Sequence, residues 1–304
     1  MLGSVLVLLL AVYQQPAAAS CKCNASSPCL SYSKANASSR YSLKCAARDG
    51  PQCPPGTRDC LSTLGPGSGK WRVEPPELHG LSTRALTNAS SQVNDFVPVR
   101  DCFLVIKDGV IVHEQYWSNK SKDSMLTSDS MGKSFTGLLV GLAIDKGLLD
   151  VDKPIIEYGV QPRADWNLSG HDWYANVTTR HLLTQTSGQG YYKPGARWTY
   201  DSNEYIQHLS YVLGKVIGTD DVVGWANAEF GAKLGLPNFW SNDQANNPGY
   251  PMASNISAGG GQFGTCRDFA RFGQLVLNRG LWPRPRKPHS RAQTDGITVA
   301  QAAV

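Results

Sequence analysis

A serine and a lysine lie three residues apart, at Ser130 and Lys133, in the segment Ser128-Asp-Ser-Met-Gly-Lys-Ser-Phe-Thr-Gly137. Apolar residues continue at the spacing of an amphipathic helix, at Met131, Phe135, Leu138, Leu139 and Leu142. Because residues three apart share a helix face, the Lys133 amine can reach the Ser130 hydroxyl. The pair is therefore a candidate nucleophile and general base for attack on a carbonyl carbon.

The start of a helix favours this chemistry, because it presents free N–H groups and a partial positive charge. That field favours a neutral lysine, which can accept the serine proton, and it helps the Ser130 N–H to hold an oxyanion. The spacing alone is a weak signal, since Ser31 and Lys34 repeat it in a Cys-rich stretch without a helical pattern. The alternative interpretation is an N-cap serine beside a solvated lysine.

The composition is that of a folded domain with a moderate charge. The chain has 304 residues, of which 41% are hydrophobic, enough for one large domain or two ordinary ones. The net charge is +5, and the dense basic run is confined to Arg284–Arg291. This distribution argues against nucleic acid as a partner.

Residues 1–20 are predicted to be a signal peptide. An apolar run from Val5 to Val12 is followed by Pro16 and by small residues up to Ser20. The run is shorter than the roughly 20 apolar residues of a membrane span, and we expect no span elsewhere. A secreted, extracellular or secretory-pathway location agrees with the Asn-x-Ser/Thr sequons at Asn24, Asn36, Asn88, Asn119, Asn167, Asn176 and Asn255.

Residues 21–70 are predicted to be a Cys-rich, glycosylated segment. Its cysteines are Cys21, Cys23, Cys29, Cys45, Cys53 and Cys60. An even number in an oxidising compartment predicts disulfides, although the sequence does not define their connectivity. No Cys-x-x-Cys and no histidine occurs among them, so a zinc site is less favoured and no metal is predicted. Cys102 and Cys266 are either buried thiols or a pair.

A β-hairpin is predicted around Lys107-Asp-Gly109, between the apolar runs Phe103–Ile106 and Val110–Val112. Both runs are apolar on successive residues, which predicts strands buried on both faces. A weak helical pattern covers Leu81–Val93, and a further helix is expected from about Asn203 to Ile217.

The last clear helix is predicted from Thr265 to Asn278. Thr265 is a candidate N-cap with Asp268 three residues later, and Gly280 can end the helix. The predicted apolar stripe consists of Phe269, Phe272 and Val276.

The order of the sequence blocks resembles the serine β-lactamase and penicillin-binding-protein-like superfamily, on its class C side, which includes secreted esterases and nylon-oligomer hydrolases. After the hairpin and the Ser130 helix, the blocks are Gly147–Pro154, His181–Gly188, Pro194–Tyr200 and Ala258–Thr265. The likeness covers about residues 78–282. It implies a mixed α+β fold over residues 71–282, with a helical subdomain from about residue 150 and an antiparallel sheet.

The resemblance also implies roles for individual residues. Ser130 would be the nucleophile, Lys133 the general base, and Tyr200 would carry protons to the leaving group. The second motif of the family, Tyr-x-Asn, has Ser202 where asparagine is usual, with Asn203 next to it, and both are candidates for substrate binding. The third motif, Lys/His-Thr/Ser-Gly on a later strand, is absent, which leaves the predicted sheet incomplete and residues 283–304 as an irregular tail.

The sequence thus predicts a secreted serine hydrolase that cleaves a small-molecule ester, amide or lactam through an acyl-enzyme on Ser130. No cofactor is implied, and nothing indicates an oligomeric state. Two alternatives stay open, an inactive binding protein on the same scaffold and a truncated product of an active hydrolase gene. With the third motif missing, we expect the 304-residue form itself to fold poorly and to be inactive.

Overall fold

The computed structural model describes residues 65–161, 170–200, 205–241, 256–278, 280 and 282–283. The predicted signal peptide, the six clustered cysteines and the tail from residue 284 lie outside these ranges. The strands are β1 (Cys102–Lys107), β2 (Val110–Tyr116), β3 (Leu126–Thr127) and β4 (Phe263–Gly264). The α-helices are α1 (Thr83–Phe96), α2 (Gly132–Asp145), α3 (Thr179–Leu183), α4 (His208–Ile217), α5 (Val222–Ala226), α6 (Ala232–Leu234) and α7 (Cys266–Leu277). None of the helices in these ranges combines the length and the apolar character needed to cross a membrane.

The hairpin predicted around Lys107-Asp-Gly109 is confirmed. Strands β1 and β2 pair antiparallel, with a bulge between Val105 and Ile106. Asp108 and Gly109 occupy the turn with φ angles of 52° and 71°, which is the left-handed backbone that tight hairpin turns use. A second antiparallel pair, β3 with β4, was not predicted, since each strand has only two residues.

Both faces of the hairpin are buried, as the unbroken apolar runs predict. Phe103, Val105, Val110 and Val112 form one cluster, against which Leu86, Ala89 and Val93 of α1 pack. The opposite face contributes Cys102, Leu104, Ile106 and Ile111 to the main core. The hairpin therefore separates α1 from the remaining helices and forms the middle layer of this part of the fold.

Helix α2 is buried on nearly all sides, so the prediction that it is amphipathic is wrong. Of the predicted apolar positions, Phe135, Leu138, Leu139 and Leu142 are buried, whereas Met131 precedes the helix and is only partly buried. The residues between them are also buried, namely Thr136, Gly137, Val140, Gly141 and Ala143. The Phe135 ring lies 4.2 Å from the Phe272 ring and 5.2 Å from the Phe239 ring, measured between centroids. A helix apolar all round belongs in the centre of a fold, and here that central helix follows Ser130.

Helix α7 begins and ends where predicted. Thr265 and Asp268 form a capping box, and the Gly280 N–H donates to the Leu275 carbonyl at 2.9 Å with Gly280 at φ 83°. Phe269 and Phe272 are buried, but Val276 is 46% exposed and does not belong to the stripe. Helix α4 begins at His208, later than the predicted Asn203.

Helix α7 is tied to the hairpin by two cross-links. Cys102 of β1 and Cys266 of α7 form a disulfide across 164 residues, which decides between the two alternatives that the sequence left open. Beside it, Arg267 donates from Nε and Nη2 to the Glu114 carboxylate at 3.0 and 2.6 Å. Tyr116 donates to the same carboxylate at 2.7 Å.

The ion pair between Glu114 and Arg267 should stabilise the fold in a way that depends on pH. Burial raises the pKa of Glu114, but the hydrogen bonds from Arg267 and Tyr116 and the Arg267 charge outweigh it, so this pKa lies below its ordinary value. A carboxyl with a lowered folded-state pKa stabilises the fold above its unfolded pKa of about 4.3, and this stabilisation is lost as the pH falls through the folded pKa. We therefore expect Glu114→Gln to reduce the loss of unfolding free energy between pH 6 and pH values below about 4.

The measurement is urea unfolding of wild type and Glu114→Gln across that pH range. Glu157→Gln is the matched control, since Glu157 is 55% exposed in a pair with Lys153 and such surface pairs contribute little. If Glu114→Gln and wild type lose the same stability on acidification, the Glu114 pair is not responsible for it.

Candidate active site

Ser130 lies in a tight turn that joins β3 to the central helix. The turn is the 3-10 segment Asp129–Met131, and α2 follows at Gly132, so Ser130 precedes α2 instead of lying in its first turn. Asp129 has a φ of 42°, which is left-handed backbone that a residue with a side chain rarely adopts. The Thr127 hydroxyl donates to the Asp129 carboxylate at 2.7 Å. This strained turn presents Ser130 to solvent.

Lys133 contacts Ser130, as the three-residue spacing predicts. Its Nζ lies 3.1 Å from the Ser130 Oγ and donates to the Gly259 carbonyl at 3.0 Å. The Gly259 contact holds the amine beside the serine hydroxyl. The position is therefore suitable for accepting the Ser130 proton.

Tyr200, which lies 70 residues later in the chain, contacts the same serine. Its hydroxyl donates to the Ser130 Oγ at 2.6 Å, across 70 residues, and its ring lies 5.1 Å from the Lys133 Nζ. Tyr200 is 50% exposed. Ser130, Lys133 and Tyr200 thus form one polar group that is open to solvent, with the serine oxygen bonded by both partners.

The segment from Ile256 to Gly264 forms one wall of this group and was not assigned a role from the sequence. The Ser128 N–H donates to the Gln262 carbonyl at 2.8 Å, and the Ser128 hydroxyl donates to Gln262 Oε1 at 2.6 Å. The Gln262 N–H returns a bond to the Ser128 hydroxyl at 3.2 Å. Ser128 and Gln262 are both buried, so these bonds fix the wall against the nucleophile turn.

Glycines allow the close approach of the two segments. A Cβ at Gly132 would overlap the Gln262 side-chain oxygen and lie 2.5 Å from the Gly260 Cα. A Cβ at Gly260 would overlap the Asp129 carbonyl. The glycine run Gly259-Gly-Gly261 is the sequence signal that marks this contact, although it does not identify the partner segment.

The remaining predicted site residues, Ser202 and Asn203, lie outside the described residues. Their proposed contact with substrate stays a prediction. No group of three or more His, Cys, Asp or Glu side chains in the described ranges is arranged to hold a metal ion.

The fold is mixed α+β, and it brings Ser130, Lys133 and Tyr200 into one hydrogen-bonded group. A family model described as Beta-lactamase matches residues 101–301, so the chain belongs to the β-lactamase family. This confirms the resemblance and the fold class that the sequence predicts. No curated protein matches the chain.

One solved structure of low sequence identity shares the fold, and a second is similar over part of the chain. One from Bacteroides dorei, described as a beta-lactamase, has 18% identity and a TM-score of 0.52, covering 73% of this chain and 67% of that one. One from Bacillus anthracis, described as a 6-aminohexanoate-dimer hydrolase, has 17% identity and a TM-score of 0.49, covering 63% of this chain. The match spans 57% of the Bacillus protein's length.

Proposed function

We propose that the protein is a serine hydrolase that opens a small-molecule ester, amide or lactam through an acyl-enzyme on Ser130. The observation that carries the proposal is the convergence of the Lys133 amine, at 3.1 Å, and the Tyr200 hydroxyl, at 2.6 Å, on the Ser130 Oγ. A serine hydroxyl is a weak nucleophile until a base takes its proton. Both a base and a second proton carrier are within hydrogen-bond distance here.

In the proposed acylation step, Ser130 Oγ bonds to the carbonyl carbon and its proton passes to the Lys133 amine. The carbonyl π electrons move to the oxygen, and the Ser130 N–H helps to hold this oxyanion. When the tetrahedral intermediate collapses, the bond to the leaving oxygen or nitrogen breaks and that atom takes the Tyr200 proton. Lys133 then returns a proton to Tyr200, and water reverses the sequence to release the acid.

The test is labelling of the folded protein by a fluorophosphonate or a penicillin-type probe. The proposal predicts, against the expectation drawn from the missing third motif, that wild type and Ser134→Ala are labelled. Ser130→Ala should give no label, and Ser134 is the matched control because it is an exposed serine on the adjacent turn of α2. Equal labelling of Ser130→Ala would contradict the assignment. A folded wild-type protein without any label would instead favour a binding protein on this scaffold.

The close approach of Gly132 to Gln262 and Gly260 predicts that adding one methyl group at Gly132 strongly slows the labelling of Ser130. Because a Cβ at Gly132 would overlap Gln262, Gly132→Ala must displace the nucleophile turn or the wall. Displacements of about 1 Å in an active site can cost on the order of a hundredfold in rate, and we expect a loss of that size in Ser130 labelling.

Gly137→Ala is the matched control for this substitution. Gly137 lies in the same helix, and the nearest atom to an added Cβ is the Leu183 Cδ2 at 4.0 Å. Alanine in a helix interior should stabilise by about 0.5–1 kcal/mol without slowing the labelling. If Gly132→Ala is labelled as fast as Gly137→Ala, the wall does not position the nucleophile.

A secretory location is part of the proposal. It is supported by the signal-like residues 1–20, by exposed sequon asparagines at Asn88, Asn119 and Asn176, and by the Cys102–Cys266 disulfide. Expression in a eukaryotic cell should give glycosidase-sensitive protein in the medium. Retention in the cytosol, unglycosylated and with Cys102 reduced, would contradict it.

A further inference from the structure

The segment from Gln185 to Tyr200, which ends at the active-site tyrosine, has an unusually constrained backbone. The Thr199 N–H donates to the Gln185 carbonyl at 3.0 Å, and the Gly195 N–H donates to the Thr186 carbonyl at 2.8 Å. Gln185 and Gln189 have φ angles of 58° and 50°, which cost energy in residues with side chains. The segment therefore holds its exposed side chains in defined positions.

Large aromatic side chains are exposed along this segment, where burial would be more usual. They are Tyr191, Tyr192, Trp198 and Tyr200, which are 58%, 42%, 64% and 50% exposed. The Trp198 and Tyr200 ring centroids lie 6.5 Å apart with an interplanar angle of 44°. The Tyr200 hydroxyl is bonded to Ser130, so the exposed Trp198 ring neighbours the ring of the residue that contacts the nucleophile.

This inference rests on the proposed function: we propose that Trp198 determines specificity by stacking on an aromatic ring in the leaving group of the substrate. Tyr200 gives its proton to the leaving oxygen or nitrogen, so the leaving group lies against Tyr200. A ring one or two bonds beyond that atom then lies within reach of Trp198, and aromatic rings attract one another at centroid separations of about 4.5–7 Å. The substrate class is thus an ester or amide with an aromatic alcohol or amine component.

The inference is tested with benzyl acetate and cyclohexylmethyl acetate, which share the acyl group and differ in the aromaticity of the leaving group. Wild type should prefer the benzyl ester in kcat/KM, and Trp198→Ala should lower the benzyl to cyclohexylmethyl ratio by about two- to tenfold. Trp198→Phe should keep most of the preference. Phe96→Ala, which removes an 82% exposed ring at the end of α1, should leave the ratio unchanged.

An unchanged ratio in Trp198→Ala would overturn the inference, and so would an equal loss on both esters together with a lowered Tm, which indicates a structural role. Neither result affects the proposed function, because labelling of Ser130 measures that separately. If Ser130 is labelled but neither acetate is turned over, the same ratio is measured on labelling rates with phosphonate probes that carry the two leaving groups. Absence of any label at Ser130 would overturn the proposed function and this inference together.

Discussion

Replacing Lys133 with alanine is expected to slow acylation of Ser130 by about 10²–10⁴-fold, the usual contribution of a positioned general base. The Lys133 Nζ is 3.1 Å from the Ser130 Oγ and is held by the Gly259 carbonyl. Without it, the described residues place no other amine on the serine oxygen, and Tyr200 acts there as a donor. The rate of probe labelling under single-turnover conditions measures this loss.

Lys133→Arg separates the two ways in which a lysine could assist the serine. A guanidinium keeps a positive charge at the site but does not give up its proton in proteins. If Lys133 acts as a base, Lys133→Arg should be as slow as Lys133→Ala. If the arginine variant labels at the wild-type rate, the charge is what matters and the base assignment is wrong. A Tm within a few degrees of wild type shows that both variants are folded.

A large loss of folding stability is expected from substitution of Arg271, a buried arginine on α7. Its Nη1 donates to the Gly67 and Leu234 carbonyls at 2.6 and 2.8 Å, and its Nη2 donates to the Gly69 carbonyl at 2.6 Å. Burial lowers the pKa of Arg271, although the Asp268 carboxylate acts in the opposite direction. Placing the guanidinium in the interior therefore costs free energy, and the three bonds to carbonyl oxygens act against this cost. Arg271→Met leaves the carbonyl oxygens without their donor, and we expect a loss of about 3–5 kcal/mol in unfolding free energy.

Arg180→Met is the matched control for Arg271. Arg180 also makes a two-pronged contact, to the Asp152 carboxylate at 2.6 and 2.8 Å, but its side chain is 49% exposed. Exposed pairs contribute little because water solvates both groups after the change. Chemical unfolding of the two variants should therefore differ widely. Equal losses would mean that the Arg271 bonds do not anchor residues 67–69 to α7.

Local signals in the sequence were sufficient for the hairpin, for helix α7 and for the pairing of Ser130 with Lys133. Each depends on residues close in the chain: an Asp-Gly turn, a capping box, and a three-residue helical spacing. Tyr200 was found through the order of the sequence blocks, since nothing local connects it to a serine 70 residues earlier. The structure places its hydroxyl on the Ser130 Oγ, and its role in proton transfer stays a prediction.

Other features of the fold depend on contacts between residues far apart in the chain, and no local pattern in the sequence indicates them. Strands β3 and β4 have only two residues each, and the Ser128 to Gln262 contact spans 134 residues. From the sequence, Cys102 and Cys266 could be two buried thiols or a disulfide. The fold places their Cα atoms 6.5 Å apart, and they form a disulfide. Helix α2 was predicted to be amphipathic from the spacing of its large apolar residues, but its glycines and Thr136 are buried as well.

The assignment of Ser130 as the nucleophile is tested most directly by peptide mapping. The folded protein is mixed with a penicillin or an activated ester, quenched with acid and mapped by mass spectrometry. We expect a covalent acyl adduct on the peptide that contains Ser130, formed in wild type and in Ser134→Ala. The adduct should accumulate far more slowly in Lys133→Ala and be absent from Ser130→Ala. An adduct on another residue, or the same yield on that peptide in Lys133→Ala as in wild type, would contradict this expectation.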